Sequence, residues 1–324
     1  MTYYDTRVNQ PKRAAEYRLY YRANHVTSRL REGDYCVVAM RTSGKLMIAF
    51  APPGSDHEHR LRYLLGIDAV TKDWALQSEI ADAAINLAAS SILQALGIEL
   101  IDPIDKFQDQ VIERFKGEFP TTRIMSQYAQ ETFKRELDPR ADPDETLEHW
   151  MRREELLFRA LEDVIVKDRL IKGFLSTNEF MAYSLSVQNR RKSRVGHALE
   201  NHLEAIFKAA QIRFERGAYT EGNARPDFLF PGRQDYLHHE TASPALHMMA
   251  AKTTCKDRWR QILVEAKKIP IKHLFTLETA ISKNQTDEMI SHNVQLVVPP
   301  SVRLTLNVAQ QSQVIGLKAF IEML

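Results

Sequence analysis

Two carboxylates and one lysine stand close together in the second half of the chain: Asp227 after a proline, Lys252 after an apolar run, and then Glu265. Two acids can hold a divalent cation, and a lysine beside them can orient a water molecule and stabilise charge on a phosphate. An unpaired carboxylate opening a buried strand is costly, and a bound cation would compensate for it at Asp227. These residue types favour metal-assisted hydrolysis of a phosphodiester, with Mg²⁺ as the expected ion.

The surrounding pattern predicts how these side chains would meet. Asp227 opens one predicted strand and Lys252 lies in another over 245–254, so the two can sit side by side on adjacent strands. Glu265 is expected on the helix that follows, over 257–266. Each residue also has an ordinary interpretation: a turn aspartate, a lysine that protects a sheet edge, and a solvated helix glutamate.

Glu200 is a third candidate acid, on a predicted amphipathic helix marked by Leu199 and Leu203. Glu204 lies one turn further on, so both acids can share a face. A solvated helix face is the ordinary interpretation of either one alone. Their occurrence beside the other three candidates is what makes Glu200 a candidate active-site acid.

Two groups of charged residues could contact nucleic acid. The net charge of +2 neither suggests nor excludes such a partner, so a local basic patch would be needed. Segment 189–194 is one, with four cations and no acid: Arg190, Arg191, Lys192 and Arg194.

The triplet Lys256, Asp257 and Arg258 opens the helix that follows the lysine strand. Cations can donate to guanine O6 and N7 in the major groove, and an acid can accept from cytosine N4. The triplet therefore suits the reading of G·C pairs. The ordinary alternative is a helix start with Asp257 as its N-terminal acid.

The composition describes a soluble globular protein, with 44% hydrophobic residues and a mean hydropathy of −0.37. No apolar run approaches the roughly 18 residues of a membrane span, and the N-terminus does not look like a secretory signal. The two cysteines, Cys36 and Cys255, fit a reducing cytoplasm and exclude a cysteine-based zinc cluster. The histidines at 57, 59, 238 and 239 are not expected to bind a metal, because no third ligand accompanies them at a familiar spacing.

The length of 324 residues favours two domains. Residues 1–100 are expected to form a small mixed α+β domain, with strands over 16–21, 34–41 and 45–52, a turn at 43–44, and helices over 57–65 and 79–96. Residues 101–117, with prolines at 103 and 120 nearby, are expected to be a linker. Residues 118–324 begin helical, with a start signal at Asp142-Pro143, and then alternate strands and helices. That alternation predicts an α/β domain with a mostly buried central sheet and helices on both faces.

The segments SVQNRRKSRVGHALENHLEAIF, YTEGNARPDFLFPG, KTTCKDRWRQILVEA, HLFTL and VQLVVPPS closely resemble the catalytic domain of the EcoRII family of restriction endonucleases. The resemblance covers residues 118–324. It implies the PD-(D/E)xK nuclease core, a mixed central sheet flanked by helices, with the second acid displaced onto the helix. It also implies Asp227 and Glu265 as Mg²⁺ ligands, Lys252 as the catalytic lysine and Glu200 as an additional active-site acid.

The resemblance further implies that the 256–258 triplet reads G·C pairs and that Asn189 inserts at the centre of the site while the central bases flip out. The chain departs from the family where an arginine and a tyrosine line the flipped-base pocket, because Met151 and Glu155 align there. Trp150 and Arg153 are the nearby candidates to replace them, with a core role as the alternative for Trp150.

In function, the resemblance implies a homodimeric type II endonuclease that cuts double-stranded DNA at CCWGG and leaves a five-base 5′ overhang. The segments YRLYYRANHV, GDYCVVAMR and KLMIAFAPPGS loosely resemble the B3-like effector domain that binds a second DNA copy in this family. A dimerisation domain and a purely structural extension are alternatives for residues 1–100. For the whole chain, the alternatives are a nuclease of the same fold that acts in repair or on modified DNA, and a DNA-binding regulator without catalysis.

Overall fold

The computed structural model describes residues 2–5, 17–20, 22–40, 46–65, 88–89, 92–93, 105–132, 137–239 and 243–324. The chain divides into two compact units, Met1–Leu61 and Arg62–Leu324. No helix among the described residues is both long and apolar enough to cross a lipid bilayer.

The described strands of the first unit form two separate antiparallel pairs. One joins β1 (Thr2–Asp5) to β2 (Tyr17–Tyr20), and the other joins β3 (Tyr35–Met40) to β4 (Leu46–Ala51). Helix α1 (Asp56–Leu65) follows. The predicted strands over 16–21, 34–41 and 45–52 and the predicted helix over 57–65 are therefore confirmed. The predicted turn at 43–44 and most of the predicted helix over 79–96 lie outside the described residues, and the B3-like barrel stays a prediction.

Between residue 105 and the sheet of the second unit the structure describes four helices, and two of them are long. Helix α4 begins at Pro143, as the Asp142-Pro143 signal predicted, and ends before Gly173, whose φ of +72° favours glycine. Ser176 then caps the next helix by accepting from the backbone N–H of Glu179. The four helices are α2 (Asp105–Phe115), α3 (Thr122–Glu131), α4 (Pro143–Lys172) and α5 (Thr177–Ala209).

The central sheet has five strands in the order β5-β6-β7-β8-β9, which is also their order in the chain. Strands β5, β6 and β7 pair antiparallel, and β7, β8 and β9 pair parallel, so the sheet is mixed as predicted. The strands are β5 (Glu215–Arg216), β6 (Phe228–Phe230), β7 (His247–Lys252), β8 (Lys272–Thr276) and β9 (Val294–Val297). The remaining α-helices are α6 (Arg233–His238), α7 (Lys283–Ser291), α8 (Pro300–Arg303), α9 (Val308–Gln311) and α10 (Leu317–Ile321).

Alternation along the strands separates two apolar layers, one on each face of the sheet. In β7, Met248 and Ala250 belong to one layer, while Met249 and Ala251 belong to the other. The first layer is completed by residues that include Trp259, Ile262, Leu274 and Met289. The second contains the inner face of α5 and the closing helix, with Leu199, Leu203, Phe207, Phe275 and Phe320. This arrangement confirms the predicted α/β class with helices on both faces.

The structure differs from the prediction at the domain boundary. Residues 101–117 were expected to be a linker, but Asp105–Phe115 is helix α2, and its Val111 is fully buried. Val111 packs with Leu157 and Leu161 of α4 in a third apolar cluster. Because α2 contributes to this core, its residues belong to the second unit, and the division between units falls near residue 61 instead of 100.

Candidate active site

Asp227 and Lys252 lie side by side on adjacent strands, as expected, and form an ion pair. Asp227 immediately precedes β6, and Lys252 is the last residue of β7. By strand alternation Asp227 shares a face with Leu229, and Lys252 shares that same face with Ala250. The Nζ atom of Lys252 donates to Oδ2 of Asp227 at 2.7 Å, and the backbone N–H of Ala251 donates to the same oxygen at 2.8 Å.

Glu265 lies beside this pair, but not on a helix. The expected helix over 257–266 is a 3₁₀ helix, Lys256–Val264, and Glu265 is the extended residue that follows it. The pKa of Glu265 is raised to about 7, mainly by burial; the positive charge of Lys252 opposes the shift and the negative charge of Asp227 adds to it. Its Oε2 atom is buried and has no hydrogen-bond partner within the described part of the chain.

The residues present fit a divalent cation. A buried carboxylate oxygen without a partner is an unfavourable arrangement that a cation would relieve. No cluster of three or more metal-ligating side chains occurs in the described residues, so Asp227 and Glu265 would be the protein's two ligands. Mg²⁺ characteristically uses one or two carboxylates and completes its shell with water and substrate phosphates, and this donor set suits that habit.

Glu200 is held at the edge of the sheet by an arginine that the sequence analysis did not single out. Arg216, on β5, donates through Nη2 to Glu200 and through Nη1 to Glu204, each at 2.7 Å. In the strand register Arg216 pairs with Phe228, the residue after Asp227. Glu200 therefore lies in an ion pair one strand away from Asp227, on α5 as expected. The signal for this pairing in the sequence is a cation, Arg216, that follows two acids, Glu200 and Glu204, on one face of a helix.

The basic segment 189–194 lies inside α5, not before a helix as the sequence analysis assumed. A helix must turn some of these residues inward, and the structure shows which. The exposed ones are Asn189, Arg190, Arg191 and Lys192. They form the basic patch of α5, in which Arg191 also pairs with Glu162 of α4 and Arg190 lies over the ring of Phe119.

Arg194, the last cation of the segment, does not belong to this patch. Its side chain is 5% exposed and pairs with Glu154 and Glu155 of α4. Its guanidinium also lies over the ring of Phe158, 4.4 Å from the ring centre. The expectation that Arg194 contacts DNA is wrong for this structure, because its donors face the protein interior.

In the 256–258 triplet, Arg258 is exposed at the start of the 3₁₀ helix. The side chains of Lys256 and Asp257 lie outside what the structure describes. The role of the triplet in reading bases stays a prediction, with an exposed Arg258 compatible with it.

Trp150 and Arg153 do not form a stacking pocket in this structure. Trp150 is 7% exposed and packs in the layer between α4 and the sheet, with its ring 5.7 Å from that of His202. Arg153 donates to Thr132 and lies over the ring of Phe107. The core role that the sequence left open for Trp150 is the one observed, so the flipped-base assignment of this pair is not supported.

Comparison with known proteins agrees with this architecture. Residues 158–321, just over half of the chain, match the family described as EcoRII C terminal. The three candidate acids, Asp227, Glu265 and Glu200, and Lys252 all fall inside that range. The chain is also 42% identical over 250 residues to the type II restriction enzyme EcoRII of Escherichia coli. The aligned part is 76% of this chain but 60% of that enzyme, so the chain spans less than two thirds of its relative's length.

A solved structure, metal-depleted Ecl18kI in complex with uncleaved, modified DNA, superposes with a TM-score of 0.54 at 19% identity. The match covers 68% of this chain and 83% of the other. At this identity the likeness shows the fold, and it confirms the predicted restriction-endonuclease-like core. With its catalytic motifs, its sheet and the family match in agreement, the chain belongs to the EcoRII family.

Proposed function

We propose that this protein is a Mg²⁺-dependent type II restriction endonuclease that hydrolyses double-stranded DNA at CCWGG. The observation that carries the proposal is the contact of 2.7 Å between Lys252 and Asp227 beside the buried, unpartnered oxygen of Glu265. Two carboxylates and one lysine have a net charge of −1. A bound divalent cation would change this to +1, which attracts the negative charge of a phosphodiester.

Each side chain would have a distinct part in hydrolysis. Asp227 and Glu265 would hold Mg²⁺, which when bound supplies Lewis-acid polarisation of the phosphate and lowers the pKa of a coordinated water. Lys252 carries a fixed positive charge beside Asp227, where it can orient the attacking water and stabilise charge that develops on the phosphate. Glu200, held by Arg216, would complete the acidic wall of the site.

The proposed substrate rests on two supports. The exposed residues Asn189 to Lys192 offer cations to the phosphate backbone, which supplies much of the affinity of a protein for DNA. The relative at 42% identity is a type II restriction enzyme, and the resemblance of the sequence to the EcoRII family implies a site with CC…GG arms. Arg258, with Lys256 and Asp257, would read the G·C pairs, and cleavage before the first cytosine would leave five-base 5′ overhangs.

The assembly is part of the same proposal. Two copies of the chain would act on the two strands of the site, since a symmetric site is matched by a two-fold dimer. Residues 1–100 would bind a second copy of the DNA as an effector. The enzyme would work in the cytoplasm, where a methyltransferase must protect the host's own sites.

The test is to incubate the purified protein with Mg²⁺ and a plasmid of known sequence, and then to sequence the ends. Ends confined to CCWGG are the expected result. Scattered ends would instead favour a nuclease of the same fold that acts in repair or on modified DNA. Tight binding without cleavage, even after a short CCWGG duplex is added as effector, would favour a DNA-binding regulator and refute the proposal.

A further inference from the structure

The backbone at Glu265 lies between regular elements, so no helix or strand fixes its conformation. The 3₁₀ helix has ended at Val264, Glu265 itself is extended, and Ala266 has a φ of +44°. A residue with a Cβ adopts that left-handed conformation only when its surroundings hold it there. The position of the Glu265 carboxylate therefore depends on whatever holds this turn.

Lys272 makes direct contact with the turn. Its side chain is buried, 5% exposed, and Nζ donates to the carbonyl oxygens of Glu265 and Ala266, each at 2.6 Å. The lysine is itself well anchored, because it is the first residue of β8 and its backbone N–H donates to the carbonyl of Asn293 at 2.9 Å. One ammonium thus ties two consecutive carbonyls of the turn to the central sheet.

The amide side of the same turn is held by other residues. The N–H of Ala266 donates to Oγ1 of Thr220 at 3.3 Å, and that of Lys267 donates to Glu221, also at 3.3 Å. These neutral or exposed contacts do not need a buried charge. A buried ammonium is costly, so its placement on the two carbonyls calls for a specific account.

We propose that Lys272 is a positioning residue for the active site, which holds the turn after the 3₁₀ helix and thereby sets where the Glu265 carboxylate lies relative to Asp227. The inference rests on the proposed function, because it concerns an acid assigned to the metal. The ammonium of Lys272 donates to the backbone of Glu265 and Ala266, and its positive charge also acts on the Glu265 carboxyl, whose pKa it lowers.

The test is Lys272→Met, which keeps most of the side-chain stem and removes the ammonium. Direct binding of Mn²⁺, measured by electron paramagnetic resonance, should weaken about 10- to 100-fold, the usual effect of losing a residue that orients a metal ligand. The single-turnover cleavage rate should fall in parallel and recover partly at high Mg²⁺. DNA binding without metal should not change. Lys283→Met is the matched control, since Lys283 is 53% exposed and pairs with Asp287 on α7.

A double-mutant cycle separates positioning from general damage. In a Glu265→Gln background, Lys272→Met should weaken Mn²⁺ binding no further, because its route to the metal is already gone. Fully additive losses would overturn the inference, as would wild-type Mn²⁺ affinity in a folded Lys272→Met protein. If that variant does not fold, Lys272→Leu takes its place, since leucine also lacks a donor for the two carbonyls; wild-type affinity in that folded protein would overturn the inference equally.

The inference and the proposed function fail in different ways. A wild-type protein that neither binds Mn²⁺ nor cuts DNA refutes the proposed function and the inference together. A wild-type protein that cuts DNA, beside a folded Lys272→Met protein with unchanged Mn²⁺ affinity, refutes the inference alone.

Discussion

Arg194 offers a sharp test because sequence and structure assign it different roles. It lies in a run of cations, yet the structure buries it between α4 and α5. Its Nη1 is 3.4 Å from Oε1 of Glu154, which is itself 0% exposed, and its Nη2 pairs with Glu155. His202 approaches the other oxygen of Glu154 at 2.9 Å.

Arg194→Met should therefore destabilise the fold instead of specifically weakening DNA binding. Removing one partner of a buried pair costs about 3–5 kcal/mol, because the remaining charge stays buried. His202 still faces Glu154, so the lower end, about 3 kcal/mol, is expected. For a unit of this size that corresponds to a drop in melting temperature of roughly 6–12 °C.

The comparison variant is Lys192→Met, two residues away on the exposed basic patch. It should change the unfolding free energy by less than about 0.5 kcal/mol. It should weaken binding to all duplexes and reduce the salt dependence of binding by about one unit of slope. Urea denaturation and fluorescence anisotropy at several salt concentrations give the two readouts. Equal stability of the two variants, with equal loss of DNA affinity, would refute the reasoning.

Asp227→Asn and Lys252→Met should each lower the cleavage rate at least about a hundredfold while a gel shift still detects DNA binding; wild-type cutting by either variant would remove that residue from the site. Arg258→Ala should lose about 1–3 kcal/mol at one G·C pair in competition binding, whereas an equal loss on random DNA would indicate a phosphate contact. Burial lowers the pKa of His273 from 6.5 to about 4, and the neighbouring His247 adds to the shift. Between pH 6.5 and pH 4, this histidine is protonated in the unfolded chain but neutral in the native protein. Its contribution to the free energy of unfolding is therefore fully present above pH 6.5, and stability falls by up to about 3 kcal/mol as the pH drops towards 4. His273→Phe should flatten this loss in urea denaturation near pH 7 and near pH 4.5, and parallel curves for the two proteins would contradict the assignment.

The pairing of Asp227 with Lys252 was accessible from the sequence because it follows from simple rules. A strand presents alternate residues to one face, and the apolar runs beside both residues marked two strands of a buried sheet. Once those strands are neighbours, the two side chains share a face. The helices α4 and α5 were accessible for a similar reason, since their apolar residues repeat at helical spacing.

The placement of Glu265 was not accessible in the same way. Its position depends on a non-glycine residue in the left-handed region and on a lysine seven residues later in the chain. Neither leaves a pattern in the sequence, because alanine normally favours helix and a lone lysine normally favours the surface. Only the folded chain brings Lys272 to the carbonyl of Glu265.

Two features of the structure that differ from the prediction did have signals in the sequence, but stronger patterns outweighed them. Phe107, Val111 and Phe115 repeat every four residues in what was expected to be a linker, and they pack in the third apolar cluster. In α5, the run of cations outweighed a second signal, which is the stripe of residues on the inner face of the helix. That stripe includes Ala198 and, one turn earlier, Arg194, so the helical repeat itself points to a buried arginine.

Helix α5 is continuous over 33 residues, so it fixes the distance and the relative orientation of the groups along it. At about 1.5 Å of rise per residue, the basic patch at Asn189 and the acid at Glu200 are separated by about 16 Å along the axis. Inserting one residue between them would advance one group by about 1.5 Å and rotate it by about 100° relative to the other. An insertion there would therefore change how the proposed DNA-binding patch is aligned with the proposed metal site, even with every side chain retained. The same insertion should be tolerated in the exposed turn around Leu175, because that turn does not lie between the basic patch and Glu200.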